Sequence, residues 1–148
     1  MNGKPYLEDV SAVRFTKDAS FAAVVFALKD ATSEVMLYRL YDKSGRNLIP
    51  DKTARKPIRT FKVDQNQTKR MGNVIDVFIF KLATSADDYH VHMYLLLERG
   101  IIYFPEISKN LNPQIKMEDS SSTQAGFMLK AGCADFNYTT NTLVVGAF

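Results

Sequence analysis

Hydrophobic and polar residues alternate along most of this chain with a period of two, which is typical of β-strands. In residues 10–17 the alternation puts Val13 and Phe15 on one face and Arg14 and Thr16 on the other. Similar stretches recur about every ten residues, with turn-forming residues between them. The pattern predicts strands over residues 10–17, 34–42, 58–64, 73–82, 89–98, 101–104, 126–130, 134–138 and 142–148.

This spacing predicts a mainly β fold, an antiparallel sandwich or a partly closed barrel of about eight or nine strands. Residues 20–31 fit two structures. Their apolar side chains follow Ser20, an N-cap residue type, at helical spacing. Their centre, Val24-Val25-Phe26, is equally typical of a buried strand. We therefore expect at most one or two short helices, with residues 20–31 as the candidate.

Two of the predicted strands are apolar on both faces. In residues 73–82, for example, Val77 and Ile79 share one face, and Phe78 and Phe80 share the other. A sheet with one face in water would carry polar residues at alternate positions. The second face must therefore be covered, either by a segment of the same chain, such as a helix over residues 20–31, or by a neighbouring subunit.

The length of 148 residues fits one domain over residues 1–148, which is large enough to bury a core without cross-links. A hydrophobic content of 46% and a charged content of 24% are those of an ordinary globular protein. The first residues lack the apolar core of a signal peptide, and Cys133, as the one cysteine, excludes an intrachain disulfide. We expect an intracellular setting or an assembled particle, and no membrane partner.

Positive charge is concentrated in residues 51–70. This stretch has seven Lys or Arg against two Asp, a net charge of +5, whereas the whole chain carries +3. Strand-based proteins hold single-stranded nucleic acid on cations interleaved with aromatic rings, while a solvated loop that protects an edge strand is the alternative. The residues predicted to bind a polyanion are Lys52, Arg55, Lys56, Arg59, Lys62, Lys69 and Arg70, with Arg39 and Tyr41 facing outward on a neighbouring strand.

His90 and His92 lie two residues apart on a predicted strand, so both point to one face. Two imidazoles at this spacing can share a metal ion. A third ligand is missing, because Glu98 lies about 20 Å further along a continuous strand. The sequence therefore favours half-exposed sheet residues, keeps His90 and His92 as the alternative metal ligands, and predicts no cofactor. Cys133 is interpreted as a small buried hydrophobe rather than a nucleophile.

These patterns predict a protein without enzymatic activity. The first hypothesis is a binding domain that holds nucleic acid, another polyanion or an acidic protein surface through residues 51–70. The second is a structural subunit of an oligomeric particle, such as a shell, a tube or a virion. In that case the apolar strand faces and the C-terminal strand, residues 143–148, make the contacts between copies.

Overall fold

The computed structural model of the chain describes residues 7–28, 32–41, 47–49, 56–104, 106–107, 116–119 and 131–147. Within these ranges the chain forms ten β-strands and one short α-helix, and every strand pair is antiparallel. The prediction of a mainly β fold is confirmed. The described strands form two four-stranded sheets and a two-stranded ribbon, without closing into a barrel.

The strands of each sheet follow one another in chain order. Sheet 1 contains β1 (Leu7–Phe15), β2 (Phe21–Leu28), β3 (Ser33–Arg39) and β4 (Arg59–Val63). Sheet 2 contains β5 (Val74–Ala83), β6 (Tyr89–Leu97), β7 (Gly100–Phe104) and β8 (Lys116–Asp119). The ribbon consists of β9 (Ala131–Asn137) and β10 (Thr142–Ala147), and the helix α1 (Gln65–Met71) joins the two sheets.

The helical interpretation of residues 20–31 is wrong, because β2 occupies most of that segment. β2 pairs with β1 on one side and with β3 on the other, so that Val24 lies opposite both Val13 and Met36. β-branched and aromatic residues fit such a pleated surface well. Residues 116–119, where the sequence predicted no strand, pair with β7 as β8. The strand predicted over residues 126–130 lies outside the described residues.

The main core lies between the inner faces of the two sheets. Alternate residues of β2, β3, β5, β6 and β7 enter it, as the period of two requires. Sheet 1 contributes, for example, Val25 and Leu37, and sheet 2 contributes Ile79 and Met93, all of which are fully buried. Phe61 of β4 packs on Phe104 of β7, with ring centroids 4.8 Å apart. A sandwich of this kind gains most of its stability from removing these side chains from water.

The ribbon covers the outer face of β5 and β6. Phe136 of β9 stacks on Phe80 of β5, with ring centroids 4.9 Å apart, and lies 6.1 Å from the ring of Phe78. Tyr94 of β6 and Leu143 of β10 pack around these three buried rings. The predicted cover for the second apolar face is therefore a segment of the same chain, although it is a β-ribbon and not a helix.

The helix α1 begins after Asp64, an N-cap residue type, and places the basic residues Lys69 and Arg70 in its last turn. Gly72 follows with a φ of 82°, the left-handed conformation that commonly ends a helix. Met71 is fully buried and attaches the helix to the main core. None of the helices in the described ranges is long and apolar enough to cross a membrane.

Candidate interaction surface

The edge strand β1 turns its large apolar side chains away from the core. Val10, Val13 and Phe15 are 54%, 44% and 50% exposed, whereas Ala12 on the other face packs against the main core. A register shift between Val10 and Ala12 brings Val10 onto the face of Val13. Single exposed apolar residues are common on protein surfaces, but a contiguous group of them marks an interaction site.

The apolar character continues from β1 across β2 and β3. Val24 lies beside Val13, and Phe26 lies opposite Val10. On β3, the Tyr38 hydroxyl donates to the sulfur of Met36 at 3.3 Å. Burial raises the pKa of the Tyr38 hydroxyl, which agrees with its partly covered position. We call this surface the outer face of sheet 1, and its members are Val10, Val13, Phe15, Val24, Phe26, Met36 and Tyr38.

One border of the outer face is polar. On β4, Thr60 and Lys62 are exposed, while Phe61 between them faces the core. Lys62 lies directly opposite Glu34 of β3, so the border carries one positive and one negative residue side by side. The outer face of sheet 1 is therefore apolar in its centre and mixed in charge at this edge.

The basic residues predicted to bind a polyanion occupy several elements. Lys52 and Arg55 lie outside the described residues. Lys56, just before β4, is exposed, and so are Lys69 and Arg70 on α1. Arg59 lies opposite Leu37 in the register and is half-buried on the core side of β4, whereas Lys62 is on the outer side. The described cations thus lie on both faces of β4 and on α1, and their joint role stays a prediction.

Arg39 does not face outward as predicted. It shares a face with Val35 and Leu37, and its guanidinium carbon lies 5.3 Å from the ring centroid of Phe21 in the core. Its Nε is buried and has no hydrogen bond to any described residue. The period of two places Arg39 inward, and the end of the sandwich accommodates its charge above an aromatic ring. Tyr41, beyond the end of β3, is half-buried and forms an isolated bridge with Leu48.

His90 and His92 share one face of β6, as predicted, with ring centroids 6.1 Å apart. His92 is nevertheless buried and not half-exposed. It stacks between Phe80 and Tyr103, and its Nδ1 lies 2.6 Å from the Tyr103 hydroxyl. Burial lowers the pKa of His92, His90 lowers it further, and Glu106 opposes this change. His92 is therefore one member of a layer of stacked aromatic rings on sheet 2.

Among the described residues, no third metal ligand joins His90 and His92. The Oε2 of Glu106 lies 3.7 Å from the Nε2 of His90. Across the ranges that the structure describes, no group of three His, Cys, Asp or Glu residues is arranged to hold a metal ion. Cys133 lies on β9 and is exposed, so its interpretation as a buried hydrophobe is wrong.

Comparison of the chain with protein-family models, with curated proteins and with solved structures finds no match.

Sequence reasoning missed the outer face of sheet 1 as a surface. The signal was present, because β2 is as apolar on both of its faces as β5. The criterion of two apolar faces was applied to β5 and β6, whose second face the ribbon covers. Alternation identifies the two faces of a strand, but it does not say which face is inside.

Proposed function

We propose that this protein is a non-enzymatic assembly subunit that binds a second copy of itself through the outer face of sheet 1. The observation that carries the proposal is the exposure of Val10, Val13 and Phe15 beside the half-buried apolar side chains of β2 and β3. Contiguous apolar surface of this kind is costly to leave in water and marks protein contacts.

A second copy is the occupant that the charge pattern favours. Most homodimers have a two-fold axis, so the same surface patch must be complementary to itself. The outer face of sheet 1 meets this condition, because its apolar centre can pack on an identical centre. At its border, Glu34 and Lys62 have opposite signs. A two-fold axis can therefore bring the lysine of one copy near the glutamate of the other.

The test is the mass of the protein in solution, measured by light scattering after gel filtration over a range of concentrations. We expect twice the mass of one chain for the unmodified protein. The double variant Val13→Lys, Phe15→Ser should have the mass of one chain and an unchanged circular dichroism spectrum. The matched control is Val144→Lys, because Val144 is 63% exposed and lies on the ribbon, outside sheet 1.

Three results would contradict the proposal. The first is a monomer at every concentration, and the second is an oligomer that survives Val13→Lys, Phe15→Ser. The third is an oligomer that the control variant Val144→Lys dissociates as effectively, which would place the contact on the ribbon. Deleting residues 143–148 is a poorer test, because it removes Leu143 from the cover of β5 and β6 and perturbs the fold.

A second candidate function is the binding of a polyanion such as single-stranded nucleic acid. It is favoured by the exposure of Lys56, Lys62, Lys69 and Arg70 in a stretch with a net charge of +5. Cations of this kind would bind phosphates with an affinity that falls steeply as salt is added. No single face collects these side chains in the described part of the chain, so the assembly proposal takes precedence.

Fluorescence anisotropy with a labelled single-stranded oligonucleotide tests this second function. The variant Lys56→Gln, Lys62→Gln should weaken binding at low salt, while Lys17→Gln, an exposed lysine outside the basic stretch, should not. Losing two phosphate contacts should also lower the log-log slope of affinity against salt by about 1.4, since each contact on a single strand contributes about 0.7. Equal effects of both variants, or no binding at low salt, would remove this candidate.

A further inference from the structure

A cavity of ≈ 440 Å³ lies where three distant segments of the chain meet at the edge of β5. The turn between β1 and β2, the second half of β5 and the turn between β9 and β10 surround it. Its volume falls in the range of about 300–1,000 Å³ that is common for small-molecule sites. The lining residues are Thr16, Lys17, Asp18, Phe80, Lys81 and, from the ribbon turn, Tyr138 and Asn141.

We propose that this cavity binds a small organic carboxylate with an aromatic or apolar body. The proposal concerns a surface separate from the outer face of sheet 1 and does not depend on the proposed assembly. It rests on the charge balance of the lining, on the aromatic wall, and on the hydrogen bonds that hold the wall in place.

Asp18 pairs with Lys81, one of the two lysines that line the cavity, so the lining keeps an excess of positive charge. Its carboxylate accepts hydrogen bonds from Lys81 Nζ at 2.7 Å, from the Ser20 amide at 3.0 Å and from the Thr16 hydroxyl at 2.8 Å. Burial alone would raise the pKa of Asp18, but these hydrogen bonds hold it well below its usual range. Asp18 therefore stays ionised, and it fixes the ammonium group of Lys81 at the wall.

Lys17 supplies the charge that Asp18 does not neutralise. Two lysines and one aspartate line the cavity, and Lys17 is exposed with no ion pair to any described residue. The side-chain amide of Asn141 likewise makes no hydrogen bond within the described ranges, so it is available as a donor. One unneutralised cation beside a free amide donor fits a single carboxylate better than a neutral or cationic group.

Two rings form the apolar part of the wall. Phe80 is buried and stacked on the aromatic layer of sheet 2, so its position is fixed. Tyr138 donates its hydroxyl hydrogen to the Phe15 carbonyl at 3.1 Å, which holds the ribbon turn against β1. Ligand sites typically combine apolar walls with a few polar groups that set orientation. An aromatic body beside these rings would direct its carboxylate toward Lys17.

The two turns around the cavity have a fixed backbone. Ala19 and Asn141 are the non-glycine residues with positive φ among those described, and each lies in one of these turns. Such conformations persist where the surrounding structure holds them, and they are frequent at binding sites. In the first turn, the hydrogen bonds to Asp18 provide this support. The cavity is therefore preformed, which lowers the entropy cost of binding.

The probe is benzoate, which joins one carboxylate to one aromatic ring, and its neutral analogue benzamide is the control ligand. In a titration followed by amide NMR, benzoate should shift the signals of Asp18, Lys81 and Asn141 with a dissociation constant of about 1 mM, as for a weak fragment. Benzamide should bind about 3-fold to 5-fold more weakly, because it lacks the interaction of one partly exposed ion pair.

Lys17→Gln should weaken benzoate binding by a similar factor of about 3 to 5. The matched control Lys69→Gln, which removes an exposed lysine on α1, should leave it unchanged. Absence of shifts at about 10 mM benzoate would overturn the proposal, because a site with a dissociation constant of about 1 mM would be mostly occupied at that concentration. Equal binding of benzoate and benzamide would overturn the assignment to carboxylates. Shifts confined to the outer face of sheet 1 would overturn the location.

Discussion

Arg14 on β1 and Asp76 on β5 form a two-point ion pair that joins the edges of the two sheets. Nη2 of Arg14 lies 2.6 Å from Oδ2 of Asp76, and Nε lies 3.1 Å from Oδ1. The guanidinium carbon also lies 5.1 Å from the ring centroid of Phe78. The hydrogen bonds that Arg14 donates to Asp76 raise the pKa of Arg14. With Arg14 held here, Val13 and Phe15 are directed to the outer face of sheet 1.

Replacing Asp76 with asparagine should lower the free energy of unfolding by about 1 kcal/mol. A hydrogen bond between charged groups contributes about 1.5–3 kcal/mol, and we reduce this value because solvent screens a partly exposed pair. Asparagine keeps the oxygen that accepts from the Val77 amide at 2.8 Å, so the backbone is preserved. Urea denaturation of Asp76→Asn, Arg14→Gln and the double variant measures the coupling. A coupling energy near zero would mean that the pair does not join the sheets.

We expect His92 to make the stability of the fold depend on pH. Its folded-state pKa lies below the usual value of 6.5 because it is buried. Between these two values the unfolded chain binds more protons than the folded one, so stability falls as the pH drops below about 6.5. His92→Gln should remove this contribution. We expect unfolding free energies at about pH 8 and about pH 5 to differ less in the variant than in the unmodified protein.

The neighbours of His92 set the control for that experiment. His90 and Glu106 influence its charge from β6 and from the segment after β7, and the Tyr103 hydroxyl contacts its ring. His90→Gln removes a half-exposed histidine of the same face and should leave most of the pH dependence in place. If both variants change the pH dependence equally, the titration does not belong to His92.

Phe136 attaches the ribbon to sheet 2, and Phe136→Ala should cost about 3–5 kcal/mol of stability. The side chain is buried among four aromatic rings, and its removal leaves a cavity that these rings cannot fill by small movements. Amide hydrogen exchange should accelerate in β9 and β10. Val144→Ala, on the exposed side of the same ribbon, should change stability by less than about 0.5 kcal/mol.

Gly72→Ala should lower the free energy of unfolding by more than about 1 kcal/mol. Its φ of 82° disfavours any residue with a Cβ, and a Cβ at this position would lie 2.7 Å from the Cβ of Glu98. The helix α1 would have to shift, together with its buried Met71. Urea denaturation measures the change, with the exposed neighbour Asn73→Ala as the control. A neutral result for Gly72→Ala would contradict the positive φ.

Much of the fold could be predicted from the sequence, because the strands that pack on both sides have strong local signals. β5 and β6 begin and end within about two residues of the predicted bounds, a typical margin for such predictions. The helix α1 was not predicted, although all but its last residue lies in the basic stretch, residues 51–70. Its start and end were marked by Asp64 and Gly72, which are common cap residues.

The parts that could not be predicted depend on contacts between distant residues. The ion pair of Arg14 and Asp76 directs the Arg14 face of β1 inward, and no local pattern encodes a partner 62 residues away. The cavity has the same origin, since Asp18 and Lys81 meet only when the sheets have packed. The concentration of positive charge in residues 51–70 was evident from the sequence. Part of this stretch forms β4 and α1, however, so its basic side chains lie on both faces of a strand and on a helix.

The docking of the ribbon has a consequence for synthesis on the ribosome. Both four-stranded sheets are built from strands in chain order, so they can pair as they emerge. The rings of Phe78 and Phe80, however, must wait for Phe136 before they are shielded. A nascent chain would expose these apolar rings from the synthesis of β5 until the synthesis of β9. We expect a chaperone such as a ribosome-associated holdase to bind the chain during this period.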